Sequence, residues 1–81
     1  MSAYRVELYD FVTGSMLSTF SGCRPSEVSA MAECVRRCNA KHIDHETKEA
    51  LLKRVYVPEC EVPVDLSRFR FFVSQRETRG V

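Results

Sequence analysis

The chain has only three glycines, each isolated, so no glycine-rich loop can wrap a phosphate group. It has no apolar run approaching the roughly 18 residues that a membrane-spanning helix needs. It carries almost no net charge, +1 over 81 residues, whereas a domain held to nucleic acid by phosphate contacts alone usually has a large positive excess. Its four cysteines include no Cys-x2-Cys knuckle. The opening Met1-Ser2-Ala3-Tyr4 offers neither the basic nor the apolar region of an export signal. Reduced thiols and a cytoplasmic location are therefore the expectation.

What is present fits one small globular domain spanning 1–81. Apolar residues make up 44% and charged residues 28%, too hydrophobic for disorder. A chain of this length buries only about 60% of its unfolded surface, so its stability is marginal. The charges are segregated. Arg36 to Arg54 holds six basic and three acidic residues, Val55 to Asp65 holds Glu59, Glu61 and Asp65 with no base, and Leu66 to Val81 holds four arginines against Glu77. Such sorting suits a partner with complementary patches.

Tyr4-Arg5-Val6-Glu7-Leu8-Tyr9 alternates apolar and polar residues and reads as a half-buried strand with Tyr4, Val6 and Leu8 facing the core. Met16 to Phe20 is a second strand, whose inward set is either Met16/Phe20 or Leu17/Thr19. Gly14 lies between the two, where a hairpin turn needs positive φ. Pro25 suits a first helical position, and the spacing predicts a long helix from about Pro25 to His42, with Val28, Met31, Val35 and Cys38 as its apolar stripe. Asp44 caps a shorter helix through Arg54, with Leu51, Leu52 and Val55 inward. Val55-Tyr56-Val57 is β-branched and aromatic and is expected to turn extended. In Arg68-Phe69-Arg70-Phe71-Phe72-Val73-Ser74, a strand puts Phe69, Phe71 and Val73 on one face and Arg68, Arg70 and Phe72 on the other. Residues 75–81 read as a flexible polar tail. The expected fold is α+β: a small antiparallel sheet, made from the N-terminal hairpin plus a C-terminal strand or strands, packed against one long and one short helix.

Cys34, Cys38 and His42 recur every four residues, so a helix through them lines up two thiols and an imidazole. With Cys60, or with Cys23 or His45, they could complete a tetrahedral zinc shell. The competing reading makes the thiols small core residues, which needs no cofactor. A parallel Cys34/Cys38 pair suits a disulfide poorly. Cys38 beside His42, with Asp44 as orienter, is the nearest approach to a catalytic set. A thiol in an apolar stripe has its pKa raised, however, so no enzyme is expected.

Arg68, Phe72 and Val73 partly resemble the base-stacking strand of RNA-recognition-motif domains. Phe69 and Phe71 stand where that pattern wants small residues, and Arg70 stands where it wants an aromatic. None of the family's residues is carried over. The physical content is two guanidinium groups beside an exposed ring, able to stack on a base or to anchor a protein interface. The alternative covers Phe72 with the second helix and pairs the arginines with Glu7 or Glu61.

By elimination the expectation is a non-enzymatic interaction module that binds, and inhibits, a larger protein or protein–nucleic-acid complex. Arg36, Arg37, Lys41, Arg68, Arg70 and Phe72 are its candidate binding residues, and a homodimer is compatible with it. In size and make-up the chain is similar to accessory and inhibitor proteins encoded by phages, including anti-CRISPR proteins. A zinc-stabilised or RNA-binding domain is the alternative.

Overall fold

The computed structural model describes residues 1–77. Strand β1 (Ser2–Asp10) and strand β2 (Ser15–Arg24) form a hairpin, followed by helix α1 (Glu27–Arg36), helix α2 (His45–Tyr56) and strand β3 (Phe69–Glu77). The sheet is antiparallel in the order β2-β1-β3, an α+β fold as the sequence pattern predicts. The first strand in the chain is thus the central one. No helix among the described residues is long and apolar enough to cross a membrane.

Tyr4, Val6 and Leu8 are buried, in keeping with their alternation. Gly14 has φ +76°, and the Asp10 carboxylate accepts from the Val12 N–H at 2.9 Å, so an aspartate and a glycine shape the turn. On β2 neither parity holds throughout. Leu8 pairs with Ser18 but Tyr9 pairs with Met16, leaving Leu17 as the extra residue of a β-bulge. Leu17 and Ser18 are both buried, as is Phe20, whereas Met16 and Thr19 are exposed. The bulge switches the phase of the strand, so two consecutive residues point into the core.

Helix α1 packs against one face of the sheet, and α2 packs against α1. Helix α1 is shorter than its periodicity suggests, beginning at Glu27 with Ser26 as N-cap and ending at Arg36. Asn39 stops it: its side chain accepts from the Lys41 N–H at 2.9 Å and its carbonyl accepts from the His42 N–H, a local turn that competes with further helix. The two helices are therefore nearly equal, of 10 and 12 residues. The buried side of α1 is also displaced. Ala30, Ala32, Cys34 and Val35 are fully buried, while Val28 is exposed and Met31 only half-buried. About half the circumference is inward because α1 packs against both the hairpin and α2, and the small alanines permit that close approach.

Asp44 caps α2 by accepting from the Thr47 N–H, and Ala50, Leu51 and Val55 form its buried side. The helix runs on through Tyr56, with only Val57 extended; packing of Val55 against the core overrides β-propensity there. Strand β3 likewise outlasts its expected end. Gln75 pairs with Tyr4, and its amide donates to Ser2 Oγ at 3.0 Å, so 75–77 belong to the sheet; the rest of the expected tail, 78–81, lies outside the described residues.

Candidate functional site

Among the described residues no helix lies over the second face of the sheet. Register sets its rows across β2, β1 and β3: Met16, Tyr9, Arg70; then Thr19, Glu7, Phe72; then Ser21, Arg5, Ser74; then Cys23, Ala3, Arg76. Near the hairpin end these rows assemble an aromatic cluster. Tyr9 and Phe72 meet edge to face with ring centroids 5.4 Å apart. Phe11, from the turn, stacks on Phe72 at 6.0 Å with 23° between planes. The Arg70 guanidinium sits 5.6 Å from the Phe11 centroid and also donates to the carbonyls of Ser67 and Phe69, which fixes it over the ring. Phe72 is 50% exposed and Phe11 56%, so α2 does not cover Phe72, and Arg70 bonds backbone carbonyls rather than Glu7 or Glu61.

The six arginine, lysine and phenylalanine candidates fall in three places. Arg70 and Phe72 share the open sheet face. Arg36 and Arg37 lie at the C-terminal end of α1: Arg36 donates to the Tyr56 hydroxyl at 2.8 Å, and Arg37 bonds Glu33 at 3.1 Å and lies over the buried Phe20 ring. Lys41 and Arg68 line a shallow polar depression between the α1–α2 connection and the start of β3. Arg68 does not join Arg70 and Phe72. It precedes β3 and folds back to fork the Asp10 carboxylate, Nε to Oδ1 at 3.0 Å and Nη2 to Oδ2 at 2.7 Å. This pairing, more than anything else, holds the Asp10 pKa below its usual value and raises that of Arg68. Its charge is thus already paired within the fold.

The thiol stripe is taken apart by the early end of α1. Cys34 Sγ faces the Val6 carbonyl at 3.8 Å and Cys38 Sγ the Leu17 carbonyl at 3.9 Å, both buried, while His42 is exposed on the connection beyond. Burial raises both thiol pKa values, which keeps them protonated and poorly nucleophilic. Ser18 Oγ donates to the Cys34 carbonyl at 2.7 Å, satisfying the one buried hydroxyl of β2. Cys60 sits on the later loop with its thiol toward the Glu61 carbonyl, and His45 is solvated at the start of α2, near Glu49. Among the described residues no group of three or more His, Cys, Asp or Glu is placed to hold a metal ion, and all four cysteines are free.

Tyr9 and Phe11 were not among the candidate binding residues read from the sequence, and Met16 entered only as a possible inward residue of β2. Their signal was partly there: if Tyr4, Val6 and Leu8 point inward, Tyr9 points outward. That Tyr9 and Phe11 meet Phe72 depends on register between strands nearly sixty residues apart, which no local pattern carries. Comparison with protein families, with curated proteins and with solved structures finds no match.

Proposed function

We propose that this protein is a non-enzymatic interaction module that binds a larger protein through the open face of its sheet, with Tyr9, Phe11 and Phe72 as apolar anchors and Arg70 at their edge. The carrying observation is the exposed Phe11/Phe72 pair under the Arg70 guanidinium. Aromatic side chains and arginine dominate binding energy at protein interfaces, and a ring held by neighbours loses little entropy on docking. Arg5, Arg70 and Arg76 outnumber Glu7 on this face, so the partner surface is apolar at its centre and acidic at its rim. Occlusion of that surface would be the route to inhibition, the mode of action expected from the likeness to small phage-encoded inhibitors.

The ring geometry favours a protein over single-stranded nucleic acid. Base stacking needs an open π-face, whereas here Phe72 is taken edge-on by Tyr9 and face-on by Phe11, and Phe11 also carries Arg70. The test is capture from a cell lysate with the wild-type chain and with Phe72→Ala and Phe11→Ala, all verified as folded by circular dichroism. A protein retained by the wild type and lost with both variants supports the reading. Retention that ignores both substitutions, or a ligand released by nuclease and by moderate salt, refutes it.

A further inference from the structure

From the free edge of β3 we infer that two copies of this chain pair, β3 against β3, to form a continuous six-stranded sheet. The strand is nine residues long and borders the sheet. Its outward backbone groups can be identified. The Phe11 N–H donates to the Arg68 carbonyl at 2.8 Å, one step beyond the Asp10–Phe69 pair, so Phe11/Arg68 is a hydrogen-bonded pair. Alternation along an antiparallel ladder then directs Arg70, Phe72 and Ser74 toward β1 and leaves the N–H and C=O of Phe71, Val73 and Gln75 pointing away. Among the described residues no backbone bond outside the ladder reaches those three.

Natural edge strands are blunted by proline, bulges or inward-facing charges. β2 has its bulge at Leu17. β3 has neither proline nor bulge: its register with β1 is uninterrupted, and Phe69, Phe71, Val73 and Gln75 lie in its inward row. The apolar members of that set are only half-buried, because α1 sits chiefly over the hairpin. Beside them runs an apolar groove of about 420 Å³ that includes Val28, Met31, Leu66 and Phe69.

The occupant is a second copy because the strand is complementary to itself. Antiparallel self-pairing about Phe72 keeps the two faces in phase and joins the outward N–H and C=O of Phe71 to those of Val73 of the second copy. It sets Phe71 opposite Val73 of the second copy on the inner side, and Phe72 opposite Phe72 of the second copy on the outer side, a ring–ring pairing. Within the strand this register sets Arg70 opposite Ser74 and opposes no like charges, whereas pairing about Val73 would oppose Arg70 and Arg76 twice. The two-fold axis repeats each contact and presents both aromatic clusters on one side of the enlarged sheet.

Sedimentation equilibrium across micromolar to hundreds of micromolar, together with residue-resolved amide exchange, tests this. The expected result is a doubled mass and protection of the Phe71 and Val73 amides that rises with concentration, while the Arg70 and Phe72 amides are protected throughout. Val73→Pro removes an outward N–H at an edge position, where proline is tolerated, and should return the mass to that of one chain with the circular dichroism retained. A monomer at every concentration, or a dimer whose Phe71 and Val73 amides exchange freely, overturns the inference; the exchange measurement stands on the wild type if Val73→Pro does not fold.

Discussion

Arg68 grips Asp10 through two parallel hydrogen bonds, 3.0 and 2.7 Å long, and so ties the end of the central strand to the entry of β3. A residue that from sequence alone belongs to a binding surface is a clasp between the two strands farthest apart in the chain. Bidentate arginine–carboxylate geometry gives such a clasp both strength and direction.

The clasp makes stability depend on acid in a defined sense. The Asp10 pKa is lower in the folded chain than its ordinary value, first through the Arg68 hydrogen bond. The unfolded state therefore takes up the proton first, and the contribution is complete above the ordinary carboxylate range and lost as pH falls through the lowered folded value. Asp10→Asn should lower the thermal midpoint at neutral pH and flatten its decline toward acid. Parallel wild-type and variant curves would show that Asp10 is not the responsible carboxylate.

The two faces of the sheet should respond unequally to truncation. Leu8→Ala, at a fully buried position, should cost about 2–5 kcal/mol, a large share of a total on the order of 4–12 kcal/mol for a chain of this length. Phe72→Ala on the open face should cost less than about 1 kcal/mol. Denaturant melts of the two variants decide it, and comparable losses would mean that the aromatic cluster serves the fold.

Thiol titration should divide the cysteines. Cys34 and Cys38 are buried with raised pKa values, and Cys23 and Cys60 are accessible in full or in part. A disulfide reagent should label two thiols quickly in the native protein and the other two only on unfolding. Added zinc should protect none of them; zinc-dependent protection of Cys34 or Cys38 would revive a metal site.

Ser26 begins α1 by accepting from the Ser29 N–H at 3.1 Å. Ser26→Ala should destabilise the protein by about 1 kcal/mol, and Ser26→Gly by less. The order reversed, read from thermal melts, would show that the cap matters through something other than its hydroxyl.

The hairpin, the two helices and the inward set of β3 were legible because each is written in local spacing: Tyr4/Val6/Leu8 at period two, Leu51 and Val55 one helical turn apart, Asp44 at a cap. What was hidden has a physical reason in each instance. The Leu17 bulge breaks periodicity without leaving a mark in composition, so β2 offered two equally valid phases. Asn39 ended α1 through its own side chain, which a periodic stripe running on to Cys38 and His42 concealed. Half of the candidate site, Arg70 and Phe72, was visible as outward residues of one strand. Tyr9 and Phe11 joined them only through pairing, and Arg68 left them because Asp10 lies next to it in space.

The central position of β1 bears on how the molecule is made. Hairpin and first helix are local and can organise as soon as they are synthesised, but β1 gains its second neighbour only when residues 69–77 arrive. Until then its outer backbone groups and Leu8 lack their cover, a long-range closure of the kind that slows folding and exposes sticky intermediates. Nascent chains halted before β3 should therefore be captured by chaperones, while those carrying it should be released.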